Sequence, residues 1–167
     1  MNKVPIFYIM GVSGCGKSTI GKMLAKSFDI PFFDGDDYHP EANVKKMASG
    51  SPLNDDDRKG WLASLNELAI SNKNKGAVIA CSALKKMYRT QLKENIEQQT
   101  NFVYLKGSFE EIHERLQQRK GHFMPVDLLK SQFDTLETPQ DAITVSIQLT
   151  PQEIIKETLK QYNIKKP

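Results

Sequence analysis

Residues 4–19 read VPIFYIMGVSGCGKST, and this stretch decides the fold. Its first part, residues 4–10, is an apolar run with the length and composition of a buried strand. Its second part satisfies the pattern G-x-x-x-x-G-K-[ST], which joins a strand to the helix that follows it. Backbone N–H groups in such a loop, and the N-terminus of the next helix, point towards negative charge. The stretch therefore predicts a phosphate-binding loop.

Nine residues of this loop are predicted to bind a nucleoside triphosphate. Lys17 is expected to reach the β- and γ-phosphates, and Ser18 to place its hydroxyl on Mg²⁺. An incidental glycine turn is the alternative, but the pattern and its strand-to-helix context both argue against it. The nine residues are Gly11, Val12, Ser13, Gly14, Cys15, Gly16, Lys17, Ser18 and Thr19.

The remaining chain alternates short apolar runs with segments of helical spacing, which favours an α/β fold. We predict a three-layer P-loop kinase fold, in which a five-stranded parallel sheet is covered by helices on both faces and a small lid is added. The predicted strands are 4–10, 31–34, 77–81, 102–106 and 143–147. Roughly seven helices are expected, including 17–28, 56–71, 109–119, 125–136 and one that begins at Pro151.

Size and charge indicate one domain over residues 1–167, with small molecules as its ligands. The 23 basic residues nearly balance the 20 acidic ones, so neither nucleic acid nor a membrane is an expected partner. The apolar run at the N-terminus is too short to span a bilayer and leads into the glycine-rich loop. Two cysteines fit a reducing compartment, and we expect a cytoplasmic protein.

A basic segment that contains a glycine separates two predicted helices. Residues 117–124 read QQRKGHFM and are predicted to form a mobile lid, because positive charge and exclusion of water both favour phosphoryl transfer. Arg115 and Arg119 are four residues apart and share one face of the helix that leads into this lid. Arg119 is expected on phosphate and Arg115 nearer the nucleotide, with Lys120 and His122 adding charge. A solvated basic helix end is the alternative.

Acidic residues follow the second predicted strand, in the order Asp34, Gly35, Asp36 and Asp37. Ligands of parallel α/β sheets lie beyond the carboxyl ends of the strands, so these carboxylates should face the γ-phosphate. Asp34 is expected nearer the metal, and Asp36 is expected to accept a hydrogen bond from an attacking hydroxyl. The alternative is a turn in which aspartate caps the next helix, and we favour this alternative for Asp37.

Two missing motifs and two cysteines narrow the function further. Residues 72–75 read NKNK and lack the aspartate of the guanine-binding N-K-x-D, while the third predicted strand ends at Cys81 and Ser82 without a metal-binding aspartate. Water is therefore a less favoured phosphoryl acceptor than a small molecule. Cys15 and Cys81 could block the site when oxidised, although tight packing of two small residues is the favoured interpretation.

A series of further motifs resembles the gluconate kinase family over about residues 4–160. The resemblance rests on the run DGDDYHP at 34–40, on DDDR at 55–58 followed by Trp61, and on CSALKK at 81–86 followed by Tyr88 and Arg89. It continues through YLKG at 104–107, RKGHF at 119–123, and Gln132 with Phe133. Each motif is modest alone, but their combination is specific.

This resemblance implies ATP-dependent phosphorylation of D-gluconate to 6-phosphogluconate by a homodimer, on a fold shared with shikimate and nucleoside monophosphate kinases. Carried over by position, Asp34 holds Mg²⁺ through water and Asp36 polarises the acceptor hydroxyl. Lys17, Asp36 and Arg119 are the implied catalytic residues. The implied gluconate ligands are Asp36, His39, Arg58, Lys85 and Arg89.

The chemistry of gluconate agrees with these residue types, because its carboxylate needs cationic donors and its hydroxyls need acceptors. For Arg58, an ion pair with Asp55 or Asp57 is the alternative. A shikimate-type or nucleoside monophosphate kinase is the second hypothesis for the function. A non-catalytic nucleotide-binding module is the third hypothesis.

Overall fold

Five parallel strands form one sheet, as the sequence predicts. The computed structural model describes residues 3–119 and 125–165. Residues 120–124 of the predicted lid, with Lys120 and His122, lie outside the described residues. The strands are β1 (Ile6–Met10), β2 (Phe32–Asp34), β3 (Ala77–Ala80), β4 (Thr100–Lys106) and β5 (Ile143–Ser146). Their order across the sheet is β2-β3-β1-β4-β5.

Seven α-helices accompany these strands within the described residues, together with 3₁₀ turns at Gly35–Tyr38 and Glu97–Gln99. Most predicted boundaries are within two residues of the observed ones, and the prediction for 17–28 is confirmed without change. The helices are α1 (Lys17–Phe28), α2 (Glu41–Ala48), α3 (Asp55–Ser71), α4 (Lys86–Leu92), α5 (Phe109–Gln118), α6 (Val126–Thr135) and α7 (Pro151–Lys165).

Strand β1 lies at the centre of the sheet and is fully buried along its length. Its side chains alternate between two cores, because successive residues of a strand point to opposite faces. Phe7 and Ile9 pack in the core that α1, α5, α6 and α7 cover, whereas Ile6, Tyr8 and Met10 pack in the core that α3 and α4 cover. The predicted three-layer arrangement is therefore confirmed.

The carboxyl ends of β1, β2 and β3 meet at one edge of the sheet, since all three strands are parallel and share register. Phosphate-loop residues follow β1, and the acidic turn follows β2. The helix α3 reaches the same edge with a well-capped start: Asn54 accepts a bond from the backbone N–H of Asp57, and Asp57 accepts one from Asn54. No helix among the described residues has the length and apolar composition needed to cross a membrane.

Glycine is required at position 35 by a close backbone approach between β2 and β3. A Cβ added to Gly35 would lie 2.3 Å from the carbonyl oxygen of Ala80. The carbonyl of Gly35 also accepts a 2.7 Å hydrogen bond from the indole of Trp61 on α3. The turn that carries the acidic residues is thus held against the sheet on one side and against α3 on the other.

Two glycine substitutions should therefore change stability in opposite directions. Gly35→Ala should lower the free energy of unfolding by about 1–3 kcal/mol, because backbone must move to admit the methyl group. Gly60→Ala should raise it by about 0.5–1 kcal/mol, because Gly60 lies exposed inside α3 with open space around its Cα. Urea unfolding measures both changes, and a Gly35→Ala variant as stable as the parent chain would contradict the proposed contact.

Candidate active site

The phosphate loop has a backbone conformation that only glycine adopts readily. Gly11, Gly14 and Gly16 have φ angles of 143°, 85° and 98°, which lie in the left-handed region. A Cβ on Gly11 would also lie 2.7 Å from the sulfur of Cys15, and one on Gly14 would lie 2.9 Å from Leu116. Space and backbone angles together explain why glycines alternate with other residues in this loop.

Lys17 lies across the mouth of the loop at the start of α1. Its ammonium donates to the carbonyls of Gly11 and Val12, each at 3.1 Å. These bonds keep the charge beside the first turn of the helix, where the helix dipole also favours an anion. The loop is joined to β3 by a 3.2 Å bond from the N–H of Gly11 to the carbonyl of Ser82.

Ser18 and Asp34 are brought together, as expected for a shared metal. The Ser18 hydroxyl lies 3.3 Å from Oδ2 of Asp34, while Oδ1 of Asp34 accepts a bond from the N–H of Asp36. Among residues 3–119 and 125–165 no group of three or more His, Cys, Asp and Glu could hold a metal. A hydroxyl and one carboxylate fit Mg²⁺, which usually keeps several waters and substrate phosphates as its other ligands.

Asp36 lies in the cleft beyond the phosphate loop, and its side chain is 83% exposed to the open space. Surrounding protein atoms raise the pKa of this carboxyl by reducing its hydration. Lys17 acts against that rise, whereas Asp34 and Asp37 add to it. The position of Asp36 in the cleft, close to Lys17, is what suits it to meet an attacking hydroxyl.

His39 packs flat against Trp61, with ring centroids 4.0 Å apart, and its side chain is only 3% exposed. The amide nitrogen of Asn43 donates to the carbonyl of Asp57, which fixes the amide's orientation, and lies 3.2 Å from Nδ1 of His39. Nδ1 is thus an acceptor and Nε2 carries the proton, 3.9 Å from Asp36. Burial, with a smaller effect of Arg58, lowers the pKa of His39 to about 4.

One cleft of about 600 Å³ connects these groups. Its wall contains Lys17, Asp36, His39 and Arg58, so it joins the phosphate loop to most of the predicted acceptor residues. The lining also includes residues of α2 and of the segment before α3, together with Pro125, Leu128 and Gln132 at α6. The cleft therefore combines cationic and acidic side chains with largely apolar ones.

Arg58 reaches this cleft from the first turns of α3. Its guanidinium donates a 3.0 Å hydrogen bond to the hydroxyl of Tyr88 and lies 5.3 Å from the centre of the same ring. The alternative interpretation, an ion pair between Arg58 and a neighbouring carboxylate, is not what the structure shows. Those carboxylates pair with lysines, Asp55 with Lys85 at 2.9 Å and Asp57 with Lys46 at 2.6 Å.

Lys85 and Arg89 are not part of the cleft wall. Lys85 binds both carboxylate oxygens of Asp55. Arg89 is 7% exposed, and its guanidinium donates to the carbonyl of Ala83 at 2.7 Å and to that of Glu137 at 2.9 Å. In this structure the guanidinium of Arg89 therefore holds two backbone segments together, and its contact with the substrate stays a prediction.

The two arginines predicted to bind the nucleotide lie on α5 and at its end. Arg115 donates a 2.5 Å bond to the carbonyl of Ile147, which follows β5. Arg119 is exposed and follows the last residue of α5 as its C-cap. Neither side chain lines the cleft, so their contacts with a nucleotide stay predictions.

Comparison with known proteins places the chain in a family. The family model described as shikimate kinase matches residues 13–162. The thermoresistant gluconokinase of Escherichia coli (strain K12) is 45% identical over 161 residues, which cover 93% of this chain and 91% of that protein. The chain belongs to the gluconokinase family.

Solved structures agree with this assignment. A gluconokinase from Sinorhizobium meliloti 1021 superposes on this gluconokinase-family chain with a TM-score of 0.91 and 39% identity, covering 99% of this chain and 95% of that one. A shikimate kinase from Aquifex aeolicus superposes with a TM-score of 0.63 at 20% identity, which shows a shared fold alone.

Sequence reasoning missed one contact that this gluconokinase-family site depends on. Gln132 of α6 accepts a 2.7 Å bond from the N–H of Ser13 and donates a 3.1 Å bond to the hydroxyl of the same residue. The pair attaches the acceptor-side wall to the phosphate loop. Its members are 119 positions apart, and the only available signal was the presence of Gln132 in a family motif.

The cysteines of this gluconokinase-family chain are both free and buried. Burial raises the pKa of the Cys81 thiol to about 12, which suppresses the reactive thiolate. Cys15 and Cys81 belong to the two different cores. These surroundings support tight packing as the role of both residues.

His39 should make stability depend on pH in a defined window. The unfolded chain titrates near 6.5 and the folded one near 4, so the unfolded chain binds the proton first as pH falls. The contribution of neutral His39 to the free energy of unfolding is therefore fully present above about pH 6.5, and about 3 kcal/mol of it should be lost as the pH falls towards 4. Urea titrations over this window should give a flatter profile for His39→Gln, and an unchanged slope would contradict a neutral, buried His39.

Proposed function

We propose that this chain catalyses the ATP-dependent phosphorylation of D-gluconate to 6-phospho-D-gluconate. One observation carries the proposal: a single cleft is lined by Lys17 of the phosphate loop and by Asp36, His39 and Arg58. A phosphoryl donor and a polyhydroxy acid can therefore meet between groups of the required charge. Family membership supports the same substrate.

On the donor side, the nine loop residues Gly11–Thr19 bind the triphosphate. The three glycines admit phosphate oxygens close to the backbone, and Lys17 moves its ammonium from loop carbonyls to the transferred group. Ser18 and Asp34 would hold Mg²⁺, Asp34 through water. The ion, when bound, neutralises charge on the β- and γ-oxygens. Arg119 adds positive charge from the end of α5, and Arg115 lies nearer the nucleotide.

On the acceptor side, Asp36 accepts the hydrogen bond of the attacking hydroxyl and later its proton. This proton transfer occurs late in a loose transition state. His39 lines the cleft beside Asp36, and in its neutral form it adds no competing charge. Arg58 binds the carboxylate of gluconate, because a guanidinium offers parallel N–H donors.

Several expectations from the family resemblance stay predictions beside this proposal. They are a lid over about residues 117–124, one domain over residues 1–167, a homodimer, and a cytoplasmic location without nucleic-acid or membrane partners. Lys85 pairs with Asp55 and does not line the cleft, so on the acceptor side it supports Asp55.

Coupled ADP-release assays test the substrate directly. Purified protein with ATP and Mg²⁺ should release ADP when gluconate is added, and should show little release with shikimate or a nucleoside monophosphate. Shikimate-dependent or monophosphate-dependent turnover would support the second hypothesis for the function. ATP binding without release for any of these acceptors would leave only the nucleotide-binding module.

Replacing Asp36 tests whether this carboxylate takes part in catalysis or only belongs to the local turn. Asp36→Asn keeps the size of the side chain but removes its basicity, so kcat should fall about 10²–10⁴-fold. Asp37→Asn is the matched control, because Asp37 is adjacent and exposed but lies outside the cleft wall. Its kcat should stay within a few-fold of the parent value. ATP affinity should survive in both variants, and equal small losses would mean that neither aspartate accepts the proton.

A further inference from the structure

Tyr88 is a buried residue that the reaction described above does not use. It lies in the first turn of α4 with 3% of its surface exposed. Its hydroxyl accepts the 3.0 Å hydrogen bond from Arg58 and donates a short hydrogen bond to the carboxylate of Asp55. The ring also lies beneath the guanidinium, 5.3 Å from its carbon. Tyr88 therefore contacts Arg58 through both its hydroxyl and its aromatic face.

The ion pair between Lys85 and Asp55 sets the direction of the hydrogen bonds that Tyr88 makes. Lys85 donates to both oxygens of Asp55, at 2.9 and 3.2 Å, which leaves that carboxylate with a fixed position and a full negative charge. An ionised carboxylate can only accept, so the Tyr88 proton points at Asp55 and an oxygen lone pair faces Arg58. Bonds to Tyr88 and then Lys85 lower the pKa of Asp55, in agreement with this order.

We propose that Tyr88 is a positioning residue for the substrate carboxylate, acting through Arg58 in the series Lys85, Asp55, Tyr88 and Arg58. Arginine has a long flexible side chain, and an unsupported one loses rotational freedom when it binds a ligand. Here one N–H of the guanidinium is already held by Tyr88, while the others stay available to a carboxylate in the cleft. The inference rests on the proposed function, because it names the part of the acceptor that these residues recognise.

This arrangement predicts an effect that depends on the charge of the acceptor. Gluconate and glucitol have similar chains of hydroxyl groups, but only gluconate carries a carboxylate. A loss of Arg58 positioning should weaken gluconate binding and leave whatever turnover glucitol supports unchanged. A general structural defect would instead affect both acceptors equally.

The test is Tyr88→Phe, which keeps the ring under Arg58 and removes only the hydroxyl. The KM for gluconate should rise about three- to tenfold, the scale expected when one flexible side chain must be ordered on binding. We expect kcat to stay within about twofold, because the carboxylate is remote from bond formation and its binding is uniform. The KM for ATP and kcat/KM for glucitol should both keep the parent value.

A second comparison places the effect on Arg58. In an Arg58→Ala background, Tyr88→Phe should raise the KM for gluconate no further, since the group that it positions is gone. Lys85→Met should change the KM in the same direction as Tyr88→Phe and by a smaller factor. An unchanged gluconate KM in Tyr88→Phe, an equal loss with glucitol, or a full effect in the Arg58→Ala background would each overturn the proposal.

Failure of the proposed function would give a different pattern. If the parent chain phosphorylates shikimate or a nucleoside monophosphate in place of gluconate, the assignment of gluconate fails. The positioning role then still predicts a raised KM for that acceptor in Tyr88→Phe, because each of them is an anion. A normal KM for the active anionic acceptor overturns the role of Tyr88 whichever substrate is correct.

Discussion

The strand-to-helix connection after β1 is the constraint on which the rest of the structure depends. β1 is buried on both faces, so its position in the sheet is fixed by two cores at once. The loop that follows must turn sharply enough to direct backbone N–H groups at a phosphate, and Gly11, Gly14 and Gly16 supply the necessary angles. Each later part of the site is placed relative to this loop: Asp34 by Ser18, and α6 by the contact of Gln132 with Ser13.

On the acceptor side of the cleft, ion pairs and burial limit which charges can meet a ligand. Ion pairs remove Asp55 and Asp57 from competition for Arg58, and burial against Trp61 keeps His39 neutral. The cleft is then lined by the guanidinium of Arg58, by neutral His39 and by the carboxylate of Asp36. A guanidinium suits the carboxylate of a sugar acid, and a carboxylate suits a hydroxyl that is to be activated.

Sequence-based prediction succeeded for elements with a periodic apolar pattern. The helix α1 carries Ile20 and Leu24 on its buried face, and its predicted ends agree with the structure. The helix α2 has Asn43 as its only buried residue, so no apolar stripe marked it. Spacing along α4 shows which residues share a face but does not show which carbonyls that face meets, so the bonds of Arg89 to Ala83 and Glu137 were not predicted.

The sequence by itself determined the phosphate loop, the parallel sheet and the acidic turn, because each depends on residues that are neighbours in the chain. Short segments of sequence determine the local backbone angles, the period of apolar residues and the order of strands and helices. Only the tertiary structure decided which cations reach the cleft. Arg58 points into it and Lys85 does not, since the choice depends on Asp55 and Tyr88, which are 33 positions apart. Contacts between distant segments arise from how helices pack on the sheet, and no local pattern encodes them.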